Sequence, residues 1–309
     1  MTIDRTLILR ERAQLTYDGE TFFSGGNTPI VVTPVFGRAS IQTTSHGKIE
    51  ERITDRVYRV SLTPSGQWAH RDALYGPLEV AQGGSLIGAT DKPLVIHTIS
   101  GTKFTFNCAA ITKMPTLTLA AGQPMFGPME FMCVLEKNGD PSSIADYYAT
   151  ASVSYPGDDD FDPAAHLTLA VNAVWGDTTP WSSFLAETGW VIEPVMQATP
   201  EPGGDGIGTV DYKLANLTVT AKAVPVGITK AAWLAKLHEA TALGARRTGT
   251  DLVLSASGIY VKLNAAILTD GDAGYGDRKL VGQCTWEATR TWTTGVVNPL
   301  LTLLAAAPA

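Results

Sequence analysis

The sequence predicts an all-β, mostly antiparallel protein made of two tandem β-sandwich or barrel units, each with a short flanking α-helix. Three observations support this prediction. Apolar and polar residues alternate over short segments that end in turns, and the chain has 30 Gly and 18 Pro. One residue pattern occurs twice, 157 positions apart. Hydrophobic residues make up 44% of the chain and charged residues 17%, a balance that can bury a core.

The repeat is clearest in two segments that align without gaps, Gly101–Thr112 and Gly258–Thr269. Glycine, asparagine, alanine and threonine recur at matching places, and apolar residues alternate with polar ones in both. Because side chains of a strand point alternately to opposite faces, both segments are predicted to be half-buried strands. Weaker matches extend the repeat outward: Leu94–Ser100 with Asp251–Ser257, Tyr58–Val60 with Tyr212–Leu214, and Phe126–Gly127 with Val281–Gly282.

The repeat implies a tandem duplication with a linker between the copies. The segment Pro156–Asp160 combines Pro, Gly and acidic residues, as linkers do. We therefore expect a first unit over residues 1–150, a linker over 151–165, and a second unit with a C-terminal tail over 166–309.

Each unit is expected to contain a strand, a long turn-rich excursion, a second strand, a short helix and three further strands. In the first unit, strands are predicted at Gln14–Thr21, Ile30–Thr43 and Val57–Leu62, a charged excursion at Ser45–Asp55, and a weak helix around Trp68–Tyr75. In the second unit, strands are predicted at His166–Trp175, Trp190–Ala198 and Tyr212–Ala223, with an excursion at Thr199–Gly208.

The clearest predicted helix is Thr229–Leu243. Thr229 is a suitable N-cap, and the apolar residues that follow lie on one helical stripe. Gly244 stands where a C-terminal cap belongs.

Motifs for catalysis, cofactors or metals are missing from the sequence. The acidic run that begins at Asp158 departs from a calcium loop, because Pro163 and Leu169 stand where Gly and Glu are needed. The glycine-rich segment Gly203–Gly208 lacks the lysine and the following helix of a phosphate loop. The five histidines form no metal-binding or catalytic pattern, and no GxSxG occurs. The prediction is a protein that is not an enzyme, with no cofactor and no metal.

Charge and cysteine content restrict the environment and the partners. The net charge is −7, and no run of Lys or Arg offers a DNA-gripping patch. The three cysteines, at 108, 133 and 284, are odd in number and form no CxxC, which fits a reducing cytoplasm. The N-terminus lacks the apolar core of a signal peptide. The apolar tail Val296–Ala309 is too short to span a bilayer.

In these features the chain resembles the major tail tube proteins of long-tailed bacteriophages, in duplicated form. The resemblance rests on a β-rich unit with one helix, a long loop between two early strands, and closing strands such as Gly101–Ile111 and Gly127–Leu135. It covers nearly the whole chain, as two copies at roughly 1–150 and 160–295. The resemblance implies a structural virion protein whose units form six-membered rings. A duplicated member would form a homotrimeric, pseudo-hexameric ring.

The resemblance also implies partners and a location. Rings would stack into a tube, and DNA would pass through the lumen without specific binding, helped by an acidic wall. Expected partners are further copies of the chain and other tail proteins: a terminator, a tape measure, and a distal tail or baseplate protein. No membrane partner is expected. The location would be the virion tail, assembled in the host bacterial cytoplasm.

Two predicted loops match the family's stacking loop in position, so they are expected to contact the neighbouring ring. The chain ends, Met1–Arg12 and Val296–Ala309, would seal subunit joints or be buried against a partner. The expected inter-ring contact residues are Ser45, His46, Gly47, Lys48, Glu50, Glu51, Arg52, Glu201, Gly203, Gly204, Asp205 and Gly206.

Three alternatives stay open at this point. One is a tube-initiating or baseplate-proximal ring protein of the same tail. Another is a two-domain β-sandwich module for carbohydrate binding or adhesion, which needs exposed aromatic side chains. Trp175, Trp181 and Trp190 are the candidates, although their apolar neighbours indicate a core. The third is an enzyme with an unrecognised site.

Overall fold

A computed structural model describes residues 7–9, 13–24, 29–65, 67–156, 170–204, 206–237, 247–271, 282–290, 292–293, 296–297 and 299–306. Within these ranges the chain is mostly antiparallel β-sheet with few short helices, which confirms the predicted all-β class. We call residues 7–156 the first half and residues 170–306 the second half.

The described residues of the first half contain eleven strands. They are β1 (Leu7–Leu9), β2 (Ala13–Tyr17), β3 (Glu20–Phe23), β4 (Ile30–Thr43), β5 (Gly47–Leu62), β6 (Leu94–Thr98), β7 (Thr102–Phe106), β8 (Cys108–Lys113), β9 (Leu117–Leu119), β10 (Met129–Val134) and β11 (Tyr148–Ser152). Ten of them form two five-stranded sheets, in the orders β1-β4-β5-β10-β8 and β11-β7-β6-β2-β3.

The second half contributes β12 (Asn172–Trp175), β13 (Phe184–Ala186), β14 (Trp190–Pro202), β15 (Thr209–Ala223), β16 (Pro225–Val226), β17 (Thr250–Ala256), β18 (Ile259–Gly271), β19 (Cys284–Glu287), β20 (Trp292–Thr293), β21 (Val296–Val297) and β22 (Leu301–Leu304). A ten-stranded sheet has the order β16-β13-β12-β17-β18-β19-β15-β14-β9, with β22 beside β18. Strand β9 of the first half therefore completes the sheet of the second. The short strands β20 and β21 pair with each other.

Helices are few and short. The predicted helical segment around Trp68–Tyr75 is confirmed as one α-helical turn between two 3-10 turns. The helical elements of the first half are α1 (Arg71–Leu74) and 3-10 turns at Trp68–His70, Gly76–Glu79 and Ile144–Asp146.

The helix of the second half, α2 (Lys230–Leu237), begins where the sequence predicts. The hydroxyl of Thr229 accepts a hydrogen bond from the amide of Ala232 at 3.2 Å, as an N-cap does. The predicted continuation to Leu243 and the cap at Gly244 lie outside the described residues.

Strand pairings of the first half recur in the second. The series β3-β2-β6-β7-β11 has its counterpart in β13-β12-β17-β18-β22, and the series β4-β5-β10-β8 has its counterpart in β14-β15-β19-β18. The long strand β18 takes the place of both β7 and β8, because its first part pairs with β17 and its last part with β19. A duplicated unit would give two series of paired strands in nearly the same order.

The register agrees as well as the order. One row of paired residues crosses β8, β10, β5 and β4, and an equivalent row crosses β18, β19, β15 and β14. All eight residues are buried, so both rows belong to the core. The rows are Ile111, Phe131, Val60 and Val32 in the first half, and Leu268, Trp286, Ala221 and Ile192 in the second.

Two asparagines of the repeat, Asn107 and Asn264, lie where the chain passes from one set of strand pairings to the next. The backbone amide of Asn107 donates to the carbonyl of Tyr147 at 3.0 Å, and that of Asn264 donates to Leu300 at 3.0 Å. Each side-chain amide also donates to a backbone carbonyl in the segment that leads into the last strand, β11 or β22. Asparagine supplies a second donor at this position, which explains why it occurs in both copies.

Buried aromatic side chains join the layers at equivalent places. The hydroxyl of Tyr17 donates to the carbonyl of Ala109 at 3.3 Å, and the indole of Trp175 donates to the carbonyl of Ala266 at 3.2 Å. The ring of Tyr17 also contacts Phe131 edge to face, with centroids 4.9 Å apart. These donors are satisfied inside an apolar core, as buried polar groups must be.

Several sequence predictions about strands need correction. Gln14–Thr21 is a hairpin and not one strand, since Asp18 and Gly19 take positive φ angles of 50° and 83° and reverse the chain between β2 and β3. Strand β12 starts at Asn172, and residues 166–169 of the predicted strand lie outside the described part of the chain.

The weaker sequence matches also need correction. Val60 and Ala221 are equivalent by pairing, so the match of Tyr58–Val60 with Tyr212–Leu214 is wrong. Leu94 is equivalent to Leu252 and not to residue 251, because the turn after β6 is one residue longer than the turn after β17. Loop and turn lengths change the offset between copies, and sequence alone does not show where.

We expect Asn107→Ala to lower the free energy of unfolding by about 1–3 kcal/mol, because both hydrogen bonds of its side-chain amide are lost. Its side-chain amide lies 2.7 Å from Oε2 of Glu136 and 2.8 Å from the carbonyl of Ala145. Urea unfolding followed by tryptophan fluorescence measures the change. Gln197→Ala, an exposed amide on β14, is the matched control and should change stability little. Equal stability of the two variants would contradict the role assigned to Asn107.

Candidate functional site

Two long hairpins form the candidate site. We call β4 and β5 with their turn the first arm, and β14 and β15 with their turn the second arm. Of the two segments predicted as loops, Ser45–Asp55 lies largely on β5, so the prediction of a loop there is wrong. Thr199–Gly208 is divided: residues 199–202 lie on β14, and the described residues of 203–208 form the turn of the second arm. Charged residues at these positions suit a strand because both faces of the hairpin meet water.

The predicted contact residues of the first arm lie together at its end. Ser45 and His46 occupy the turn, and the hydroxyl of Ser45 lies 2.7 Å from Nδ1 of His46. The other five residues lie on β5, and all seven are exposed: Ser45, His46, Gly47, Lys48, Glu50, Glu51 and Arg52.

Ion pairs line the first arm. Nη1 of Arg38 lies 2.9 Å from Glu51, which Lys48 also contacts, and Nε of Arg52 lies 2.6 Å from Glu50. The hydrogen bond from Lys48 lowers the pKa of Glu51. These pairs are exposed, so each contributes little stability and they keep the arm soluble.

Apolar side chains also project from the first arm into water. The exposed fractions are 41% for Val35, 43% for Ile41, 59% for Ile49 and 55% for Ile53. By the register, Ile49 and Ile53 lie on one face of the hairpin, and Ile41, opposite Glu50, lies on the other face. The sequence carried a signal of these exposed side chains, since Ile49 and Ile53 interrupt an otherwise charged segment.

The second arm ends in a tight turn. The amide of Gly203 donates to the carbonyl of Gly208 at 2.7 Å. Glu201 lies on β14, where its carboxylate is 2.8 Å from Nζ of Lys213 on β15. Gly204 and Gly206 lie in the turn, and Asp205 lies outside the described residues.

A hydrogen-bonded junction joins the two arms. The carboxylate of Asp55 on β5 accepts hydrogen bonds from the amide and from the hydroxyl of Thr209 on β15, both at 2.8 Å. The approach is close, since a Cβ on Gly208 would stand 2.6 Å from Oδ1 of Asp55. The sequence contains no signal for this contact, because the residues are 154 positions apart.

Two backbone seams also join the halves. In the first, β9 pairs antiparallel with β14, with Leu119 opposite Trp190 and Leu117 opposite Ile192. In the second, the segment 83–86 of the first half bonds to β15, where the amide of Leu214 donates to Gly84 at 3.0 Å. Both seams cover edges of the second arm that would otherwise be open to another strand.

The C-terminal residues pair and pack within their own chain. Strand β22 pairs with β18, and Leu300 and Leu301 are buried in the core. The indole of Trp68 donates to the carbonyl of Leu304 at 3.1 Å. For Leu300 and Leu301 the expected burial against a partner is therefore wrong, because the same chain covers them.

The tryptophans proposed for carbohydrate stacking are buried. Trp175, Trp181 and Trp190 are exposed by 3%, 2% and 0%, and they contact one another through Trp286 and Phe184. They form the core of the second half, as their apolar neighbours in the sequence indicate. They offer no stacking surface.

Titratable groups show no catalytic arrangement that we can identify in the described ranges. Groups of three or more possible metal ligands are also missing from those ranges. The acidic run from Asp158 to Asp162 lies outside them. His97 on β6 is largely buried, with Nε2 2.9 Å from the carbonyl of Val153. A cavity of about 380 Å³ lies between the halves, against loops that include Asp91 and Lys137.

Comparison with known proteins yields no match, either among protein-family models or among curated proteins. In the described part of the chain, no helix has both the length and the apolar character needed to cross a membrane.

We expect the three thiols to resist labelling in the native protein. Cys108, Cys133 and Cys284 are buried and form no disulfide. Burial raises the pKa of Cys108 to about 12, so almost no thiolate forms at pH 8. Ellman's reagent should react with none of them in buffer and with all three in guanidinium. Fast labelling of the native protein would contradict the burial.

We expect Asp55→Ala and Thr209→Val each to lower the free energy of unfolding by about 1–2 kcal/mol, because each removes hydrogen bonds of the junction. The double variant should lose less than the sum, by at least about 0.5 kcal/mol, since the residues contact each other. Urea unfolding of the four proteins measures this coupling. Additive losses would show that the contact contributes nothing.

Proposed function

We propose that the chain is a structural subunit of a phage tail tube and has no catalytic role. In this proposal, three copies form a pseudo-hexameric ring around a channel, and rings stack into the tube. The observation that carries the proposal is the recurrence of one pairing order in both halves, joined edge to edge within the chain. A unit that already docks on a copy of itself is suited to continue around a ring.

Ring closure solves a physical problem for this fold. Each unit presents sheet edges whose backbone groups are ready to pair with another strand. Inside the chain, the first half covers edges of the second arm. A closed ring would cover the corresponding edges of the first arm, and less unpaired backbone would remain to cause uncontrolled aggregation.

The arms supply the contact between rings in this proposal. The first arm ends in the exposed turn around Ser45 and His46, and the second arm ends in the turn 203–208. Ile41 and Ile49, exposed on the first arm, give apolar area, and the ion pairs of both arms give specificity at the rim. The chain is acidic, with a net charge of −7, which would favour passage of DNA without binding.

The remaining partners follow from the same proposal. A terminator, a tape measure and a distal tail or baseplate protein would contact the ends or the lumen of the tube. The chain would reside in the virion tail after assembly in the host bacterial cytoplasm. A tube-initiating or baseplate-proximal role uses the same ring, and copy number in purified particles separates it from the tube body.

Negative-stain microscopy of the purified protein tests the proposal. We expect rings or tubes with a central hole. Ile41→Glu should leave rings intact and shorten the stacks, because it replaces an exposed apolar side chain near the turn of the first arm with a charge. Particles without a hole at every concentration and salt condition would reject the proposal.

The matched control is Ile144→Glu, which changes an isoleucine of similar exposure, 51%, outside the arms. It should give tubes of the parent length. Equal shortening by both substitutions would show that charge, and not the position on the arm, controls stacking.

A further inference from the structure

The two halves are equivalent residue by residue along their arms. Val32 is opposite Val60, and its counterpart Ile192 is opposite Ala221. Six residues further along β4 and β14 lie Arg38 and Ala198, and both arms have a bulge immediately before these residues. Arg38 is opposite Ile53, and Ala198 is opposite Leu214. Ile53 and Leu214 each lie seven residues before Val60 and Ala221, respectively.

Ile53 and Leu214 hold equivalent positions in opposite environments. Leu214 is 0% exposed, and its backbone amide and carbonyl bond to Gly84 and Gly83 of the first half. Ile53 is 55% exposed, and around it β5 pairs only with β4 among the described residues. The strand edge at Leu214 is thus covered by the first half, and no described segment covers the equivalent edge at Ile53.

The pairing of β9 with β14 also has a counterpart in the first half. On β14, residues 190–192 pair antiparallel with β9, and the equivalent residues of β4, 30–32, pair antiparallel with β1. The two short strands have similar sequences, Leu-Ile-Leu in β1 and Leu-Thr-Leu in β9. In the first half, the N-terminal strand therefore holds the position that a neighbouring unit holds in the second.

We propose that the part of the first arm formed by residues 30–32 of β4 and by β5 around Ile53 is the docking surface for the second half of another copy of this chain, which covers Ile53 and pairs with β4 in place of β1. The partner is a second copy because the first half already docks on the second through these two seams. The inference rests on the proposed function, since it names the surface through which the ring closes. β1 acts as a removable cover that protects the edge until a copy arrives.

Sedimentation velocity over a concentration series tests whether another copy docks on the surface around Ile53. Ile53→Glu should raise the concentration for half-maximal association at least about tenfold, because docking would bury an unpaired charge. Its melting temperature should equal that of the parent, since Ile53 is exposed in the free chain. Ile99→Glu, at 54% exposure in the turn after β6, is the control and should change association less than about twofold.

A disulfide between β1 and β4 tests whether β1 must leave β4 before another copy can dock. Ile8 and Val31 are opposite each other, so oxidation of the variant Ile8→Cys, Val31→Cys would lock β1 on β4. We expect the oxidised protein to stay monomeric and the reduced protein to associate like the parent. The control pair Thr16→Cys, Thr21→Cys joins β2 to β3 and should associate in both states.

The outcomes separate this inference from the proposed function. Rings that form equally well with Ile53→Glu and with the locked variant would overturn the docking surface and leave the tube proposal intact. Open chains or dimers that are sensitive to both changes would support the docking surface and reject the closed ring. A parent that is monomeric at every concentration would overturn both.

Discussion

Backbone groups at the edge of a sheet must find partners, and this constraint organises the molecule. Both arms end in long antiparallel strands whose outer edges reach beyond the sheets that carry them. In the second arm, β9 covers residues 190–192 of β14 and the segment 83–86 covers β15 around Leu214, and both come from the first half. In the first arm, β1 covers residues 30–32 of β4, and no described segment covers β5 around Ile53. The fold of one half is therefore completed by its neighbour.

The cores of the two halves follow from a common arrangement with different side chains. The first half places Tyr17 where the second places Trp175, and both donate to the carbonyl of an equivalent alanine. The second core is built from larger aromatic residues, with Trp190 and Trp286 5.2 Å apart between ring centroids. The pairing order is kept although the side chains differ, because backbone hydrogen bonds and total core volume constrain a sheet more than residue identity does.

Sequence reasoning singled out the ends of the two arms, although it described the first of them wrongly as a loop. It placed the candidate contacts around Ser45–Arg52 and around Glu201–Gly206, which are the ends of the two arms. It expected loops there, because charged residues and glycines are typical of loops. A two-sided exposed hairpin lacks the alternation of a half-buried strand, so its strands carry little periodic signal. The isoleucines at 41, 49 and 53 are the residues of the first arm that are not typical of a loop.

By itself, the sequence determined the all-β class, the strands with alternating apolar residues, the cap of α2 and the segment that recurs around Asn107 and Asn264. These features depend on local periodicity and on hydrogen bonds between near neighbours. Only the tertiary structure decided the contact of Asp55 with Thr209, the transfer of β9 to the second half and the different exposure of Ile53 and Leu214. The physical reason is that these contacts join residues far apart in the chain, where loop lengths set the register and no local pattern records the partner.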